Sequence, residues 1–188
     1  IKPLATIENK IRQVESDWSS ASYYFSIASL SEEAKISLKR FKPKSLQGDS
    51  ILVSIYKKLG VETAFIKDEM IISKVPDFVL PKSISLNLNN SPDIAQTIAV
   101  SCFGLGVNCE LSGLKTLKIK ETDRLIALKN ELEKLGAEVN VTKDSISVNS
   151  QNSIKKDIII NTYNDHRMAM AFAPLGLKTR ITIKNPMV

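Results

Sequence analysis

Histidine is nearly absent from these 188 residues. There is one, His166, beside two cysteines, Cys102 and Cys109, that lie outside any CxxC spacing. A zinc site needs clustered nitrogen and sulfur ligands, and a disulfide scaffold needs many cysteines. Neither is supported, and the thiols fit a reducing cytoplasm. Long apolar runs are missing as well: the most hydrophobic stretch, Ile94 to Val107, is interrupted by Gln96 and Ser101. It falls short of the ~18 consecutive apolar residues of a membrane span. The N-terminus has no signal-peptide pattern. Glycine-rich phosphate loops are lacking, because Gly104-Leu105-Gly106 has neither the lysine of a P-loop nor the spacing of a dinucleotide fingerprint. Aromatics are 6 % of the chain, which argues against a nucleic-acid platform of bases stacked between cations.

What is present describes a folded globular chain, 43 % hydrophobic and 24 % charged. The balance of 26 Lys+Arg against 20 Asp+Glu, a net charge of +6, favours anionic partners without naming them. The first residue is Ile1 rather than Met, and Pro186-Met187-Val188 breaks off just after a strand-like run. Both ends read as cuts in a longer chain.

Internal repetition organises the rest. Lys58-Leu59-Gly60 recurs as Lys134-Leu135-Gly136 at an offset of 136 − 60 = 76, and the same offset carries Glu62 onto Glu138 and Lys67-Asp68 onto Lys143-Asp144. It also carries Asp17 onto Asp93, and a third copy opens 165 − 93 = 72 residues later at Asp165. Ala21, Thr97 and Ala169 stand four residues after these aspartates, and Tyr24, Val100 and Phe172 seven after. The chain divides into repeats 1–79 and 80–155 and a truncated 156–188.

Each repeat opens on an aspartate heading an apolar run, an N-cap signal. The middle helix, about Asp93 to Gly104, is apolar nearly all round and is expected to be buried on every side. Tyr23, Tyr24 and Phe25 fall in the equivalent buried helix. Alternating runs at Lys35–Leu38, Asn108–Leu111 and Arg180–Ile183 read as half-exposed strands. Leu52, Ile55, Tyr56 and Leu59, and then Leu125, Leu128, Leu132 and Leu135, recur at helical spacing, with Gly60 and Gly136 where helices are turned off. Val61–Ile66 with Met70–Ser73, and Ala137–Val141 with Ser145–Val148, pair across Lys-Asp turns. The predicted fold class is therefore α/β (α+β), built from a repeated βαβαββ unit.

Three constellations carry chemistry. Lys120, Glu121 and Arg124 have the spacing to share one face of a helix start, where open amides would add to an anion site. A solvated first turn with a surface ion pair is the commoner meaning of such spacing. Asp165-His166-Arg167 joins the one histidine to an arginine at another helix start; the plain alternative is a cap beside a surface histidine. Asp17, Asp93 and Asp165 form the third set. Three equivalent helices need three caps and a reaction does not need three bases, so capping accounts for the set and at most one member is special.

Lys120-Glu121-Thr122-Asp123-Arg124-Leu125 followed by Glu131 to Val139, together with Tyr163-Asn164-Asp165-His166-Arg167-Met168-Ala169, resembles the signatures of the 5-enolpyruvylshikimate-3-phosphate synthase family. Glu15 to Tyr23, Gln47-Gly48-Asp49 and Pro92 to Thr97 are similar to further family stretches in the same order. The resemblance implies a two-lobed protein more than twice this length, whose lobes have buried central helices and outward-facing sheets. It implies transfer of the enolpyruvyl group of phosphoenolpyruvate to the 5-hydroxyl of shikimate 3-phosphate, on the route to chorismate and the aromatic amino acids. By motif position, Asp93 is the base and Glu121 the group that protonates and deprotonates C3. Lys120 contacts shikimate 3-phosphate, Arg124 and Arg167 clamp phosphoenolpyruvate, and His166 lies beside them. No metal or organic cofactor is implied. The partners are these small molecules, with no nucleic acid and no membrane.

Thr116 departs from the family's frequent Asn at that place. The N-terminal Lys-Ser and Asn-Ala-Gly-Thr motifs, the Ser-Ser-Gln phosphate site and a cation beyond Val188 are absent from the segment, so the segment alone is expected to be inactive. The parent enzyme is expected to be monomeric, while an incomplete lobe leaves a strand edge that favours self-association of the fragment. UDP-N-acetylglucosamine enolpyruvyl transferase, which shares fold and chemistry, and a non-enzymatic basic repeat module are the alternatives.

Overall fold

The computed structural model describes residues 13–150 and 153–188. The start of the first repeat, residues 1–12, lies outside them. Elements run α1 (Trp18–Leu30), β1 (Lys35–Lys39), α2 (Leu52–Lys57), β2 (Val61–Ile66), β3 (Glu69–Lys74), β4 (Ser83–Asn87), α3 (Ala95–Leu105), β5 (Asn108–Ser112), α4 (Arg124–Leu135), β6 (Glu138–Val141), β7 (Ile146–Asn149), β8 (Ile158–Ile160), α5 (His166–Phe172) and β9 (Ile181–Ile183). The stretch β4-α3-β5-α4-β6-β7 has the expected order of a βαβαββ unit, and β8-α5-β9 repeats its first half.

Each sheet follows from how its strands are joined. The hairpin β2-β3 closes at Lys67-Asp68, with Lys67 at φ 55°, and β1 adds to the far edge of β3 to give the antiparallel order β1-β3-β2. In the order β4-β5-β7-β6, β4 and β5 are parallel because α3 crosses over between them, while β7 is antiparallel to both neighbours. β8 and β9 are parallel around α5 for the same reason. Burial alternates along the strands: Ile146 and Val148 of β7 are buried, Ser147 and Asn149 between and beyond them less so.

The helices α1, α3 and α5 pack against one another inside. Every residue of α3 from Ala95 to Phe103 is buried, as a helix apolar on all sides must be. Its hydroxyls are paired within the core: Thr97 with Ser22 at 3.1 Å, and Ser101 with Ser26 at 2.9 Å and the Tyr56 hydroxyl at 2.8 Å. Cys102 and Cys109 are both buried, and hydrogen bonding to Cys109 together with burial pushes the Cys102 thiol up, making it a core residue rather than a nucleophile. Tyr24 departs from expectation: it is 43 % exposed, because it lies on the side of α1 away from α3.

Helix ends correct the reading at two more places. Gly136 ends α4 at φ 105° as anticipated, but α2 stops at Lys57, and Gly60 instead takes φ 78° on the way into β2. The middle helix does not begin at Asp93: Pro92–Ile94 form a 3-10 turn and α3 starts at Ala95.

Candidate active site

The three aspartates at equivalent positions have different partners. Asp17 accepts from the amides of Ser19 at 3.1 Å and Ser20 at 3.0 Å and caps α1. Asp165 accepts from the Arg167 amide at 2.9 Å and caps α5. Asp93 makes no capping hydrogen bond. Capping therefore accounts for two of the set and not the third. The proline ahead of Asp93 starts a tighter turn, and the carboxylate is free to face three cations: Arg124 at 3.1 Å, Lys120 at 3.2 Å and Arg167 at 3.7 Å.

Arg124 is the centre of this arrangement. Its side chain is 2 % exposed, and each guanidinium nitrogen meets a carboxylate. Nε donates to Asp165 at 2.6 Å, Nη1 to Asp93 at 3.1 Å and Nη2 to Glu121 at 2.5 Å, with a longer contact from Nη2 to the second Asp165 oxygen at 3.4 Å. The solvated first turn expected from spacing is overturned here. So is the shared helical face, because α4 begins only at Arg124; Lys120 is extended and Glu121 precedes the helix. The open amides at that helix start are also taken. Asp123 accepts from the Leu125 amide at 3.1 Å and the Ile126 amide at 3.2 Å, so no anion site forms there. What gathers Lys120 and Glu121 is Asp93 and the fork of Arg124.

His166 is a surface residue, its Nδ1 3.9 Å from Asp165. Glu121, Asp165 and His166 bring one ligand atom each within 4.8 Å of one another, the one such trio among the described residues. Both oxygens of Asp165 already bind Arg124, so a cation there would have to displace the guanidinium. Lys120, Asp93, Glu121 and His166 keep 33 %, 29 %, 47 % and 54 % of their side chains accessible, so the web forms one face of an open surface.

Two neighbours had no role assigned from sequence. Burial pushes the Tyr23 hydroxyl up, against the lowering influence of the nearby Arg167 charge. Asp49 accepts from the Ser19 hydroxyl and faces Arg167, Asp93 and Asp17. Burial pushes its carboxyl up more than the Ser19 bond lowers it. At Asp17 the hydrogen bonds of Ser20 and Ser19 outweigh burial and the shift is downward. The sign for Asp49 has a consequence. A carboxylate raised in the folded state stabilises below its unfolded pKa and loses that contribution as pH rises through its folded pKa. Asp49→Asn should therefore raise Tm at neutral pH, with the gain vanishing as pH falls through the carboxylate range. Thermal melts across pH test this, and a lower Tm at neutral pH would contradict it.

Solved enolpyruvyl transferases share this architecture. An EPSP synthase from Acinetobacter baumannii superposes with a TM-score of 0.74 at 24 % identity, over 93 % of this chain and 43 % of its own. The enolpyruvyl transferase NikO from Streptomyces tendae gives 0.62 at 14 % identity, over 93 % and 40 %. The fold is that of an enolpyruvyl transferase lobe. Family-level comparison then narrows the class: the model for EPSP synthase (3-phosphoshikimate 1-carboxyvinyltransferase) matches residues 1–188, and the chain belongs to that family. A curated 3-phosphoshikimate 1-carboxyvinyltransferase from Bacteroides fragilis is 41 % identical over 178 residues, 93 % of this chain and 43 % of its own length. The chain thus spans less than half the length of such relatives. Among the described residues no helix is long and apolar enough to cross a membrane.

Proposed function

We propose that this chain supplies one lobe, repeats 1–79, 80–155 and 156–188, of a cytoplasmic single-chain enzyme. That enzyme moves the enolpyruvyl group of phosphoenolpyruvate to the 5-hydroxyl of shikimate 3-phosphate. The observation that carries the reading is the buried Arg124 holding Asp93 and Glu121 on adjacent arms of one fork. The reaction needs a base at the attacking hydroxyl and an acid–base group at C3. Asp93 takes the hydroxyl proton as that oxygen bonds to C2, and Glu121 gives a proton to C3, forming a tetrahedral ketal. Phosphate then leaves as C3 returns the proton. A planar guanidinium fixes the two carboxylates relative to each other, while Lys120 and Arg167 supply the charge that two phosphates and two carboxylates require. His166, exposed beside them, contributes to substrate binding.

A protein extended to the length of the relatives should release phosphate from phosphoenolpyruvate only when shikimate 3-phosphate is present. The 188-residue chain alone should not. Release dependent on UDP-N-acetylglucosamine instead would favour the related transferase, and turnover by the short chain would overturn the two-lobe requirement.

A further inference from the structure

A second buried charge lies on the same face of α4 and takes no part in the web described above. Glu131 is 0 % exposed and seven residues after Arg124, two helical turns along, so both side chains face the connection between β8 and α5. Arg124 holds one end of that connection through Asp165. Glu131 holds the other: it accepts from the Asn161 amide at 3.1 Å and the Tyr163 hydroxyl at 2.7 Å, and its charge is met by Lys134 at 2.6 Å. Lys134 also reaches the Ile159 carbonyl at 3.4 Å.

The segment between these anchors is strained. Tyr163 at φ 56° and Asn164 at φ 55° are consecutive left-handed residues, and only the asparagine adopts that conformation readily. A tyrosine persists there when something outside the turn holds it. The bond from its hydroxyl to a buried carboxylate is such a restraint. Immediately after the turn come Asp165, which binds Arg124, and Arg167, which faces Asp93.

We propose that Glu131 is a positioning residue: by fixing the Asn161–Asp165 turn it sets the placement of Arg124 and Arg167 relative to Asp93. The inference rests on the proposed function for its kinetic expression, because there Arg167 is a substrate cation, matched by its motif to phosphoenolpyruvate, and Arg124 fixes Asp93 and Glu121. Lys120, reached from the other side of α4's start, is not on this tether.

The test uses full-length protein with Glu131→Gln and, as the milder change, Tyr163→Phe, which removes a single hydroxyl and keeps the aromatic packing. KM for phosphoenolpyruvate should rise on the order of tenfold for Glu131→Gln and less for Tyr163→Phe, while KM for shikimate 3-phosphate stays within about twofold. A purely structural role lowers Tm and moves both KM values together or neither, and either result overturns the proposal. The Arg124 Nε–H resonance of 15N-arginine-labelled protein provides a readout that does not need turnover. It should shift in both variants, and an unmoved resonance overturns the proposal even if the wild type proves to catalyse something else. Wild-type protein that fails to release phosphate would count against the proposed function alone.

Discussion

Asp93→Asn in the full-length protein is expected to cut turnover by roughly 10²–10⁴, the range for loss of a general base. Asp17→Asn is the matched control. The two aspartates stand at equivalent repeat positions, but Asp17 spends its oxygens on the Ser19 and Ser20 amides whereas Asp93 spends none on capping. Asparagine is itself a good cap, so Asp17→Asn should leave turnover within a few-fold. Steady-state kcat measured side by side decides the matter. Equal losses would return Asp93 to the role of a helix-start residue and remove the base from the mechanism.

Arg124→Met should be the most destabilising single change at the site. Asp165 is fully buried, and without the guanidinium its charge would retain the Arg167 amide as its short hydrogen bond. Breaking a buried pair from one side costs about 3–5 kcal/mol, far above the value of an exposed ion pair. For a chain of this size that corresponds to a Tm drop on the order of 10 °C. Asp93 and Glu121 are partly exposed and water absorbs most of their loss, so the penalty lies with Asp165. Combining Arg124→Met with Asp165→Asn should therefore recover much of the stability while leaving the protein inactive. A double variant no better than the single one would place the cost elsewhere, in packing around the arginine stem.

Local pattern explains what was legible beforehand. Hairpins with Lys-Asp turns, the leucine spacing of α4 and the all-apolar α3 are written in windows of ten to fifteen residues, and the repeat offset multiplies each such hint. Environment explains what was not. Asp17, Asp93 and Asp165 share a position in the repeat, and only the turn begun by Pro92 and the burial of Arg124 tell them apart. Helical spacing puts Lys120, Glu121 and Arg124 on one face, yet two of the three precede the helix and are gathered by Asp93 and the Arg124 fork instead. Glu131 sits in a charged run that reads as surface. Its burial depends on Asn161 and Tyr163, thirty or more residues away in sequence.

The central helix α3 has a consequence for how the lobe is assembled. In a solenoid each repeat touches the next, and a unit can be removed with its own energy and one interface. Here α3 needs α1 on one side and α5 on another before its last apolar face is covered, and its hydroxyls are paired across the contact with α1. The repeats meet around a shared axis rather than in a row. A unit taken alone would leave an apolar helix face uncovered, so order must arise in all of them together, and the same convergence brings the starts of three helices to one face.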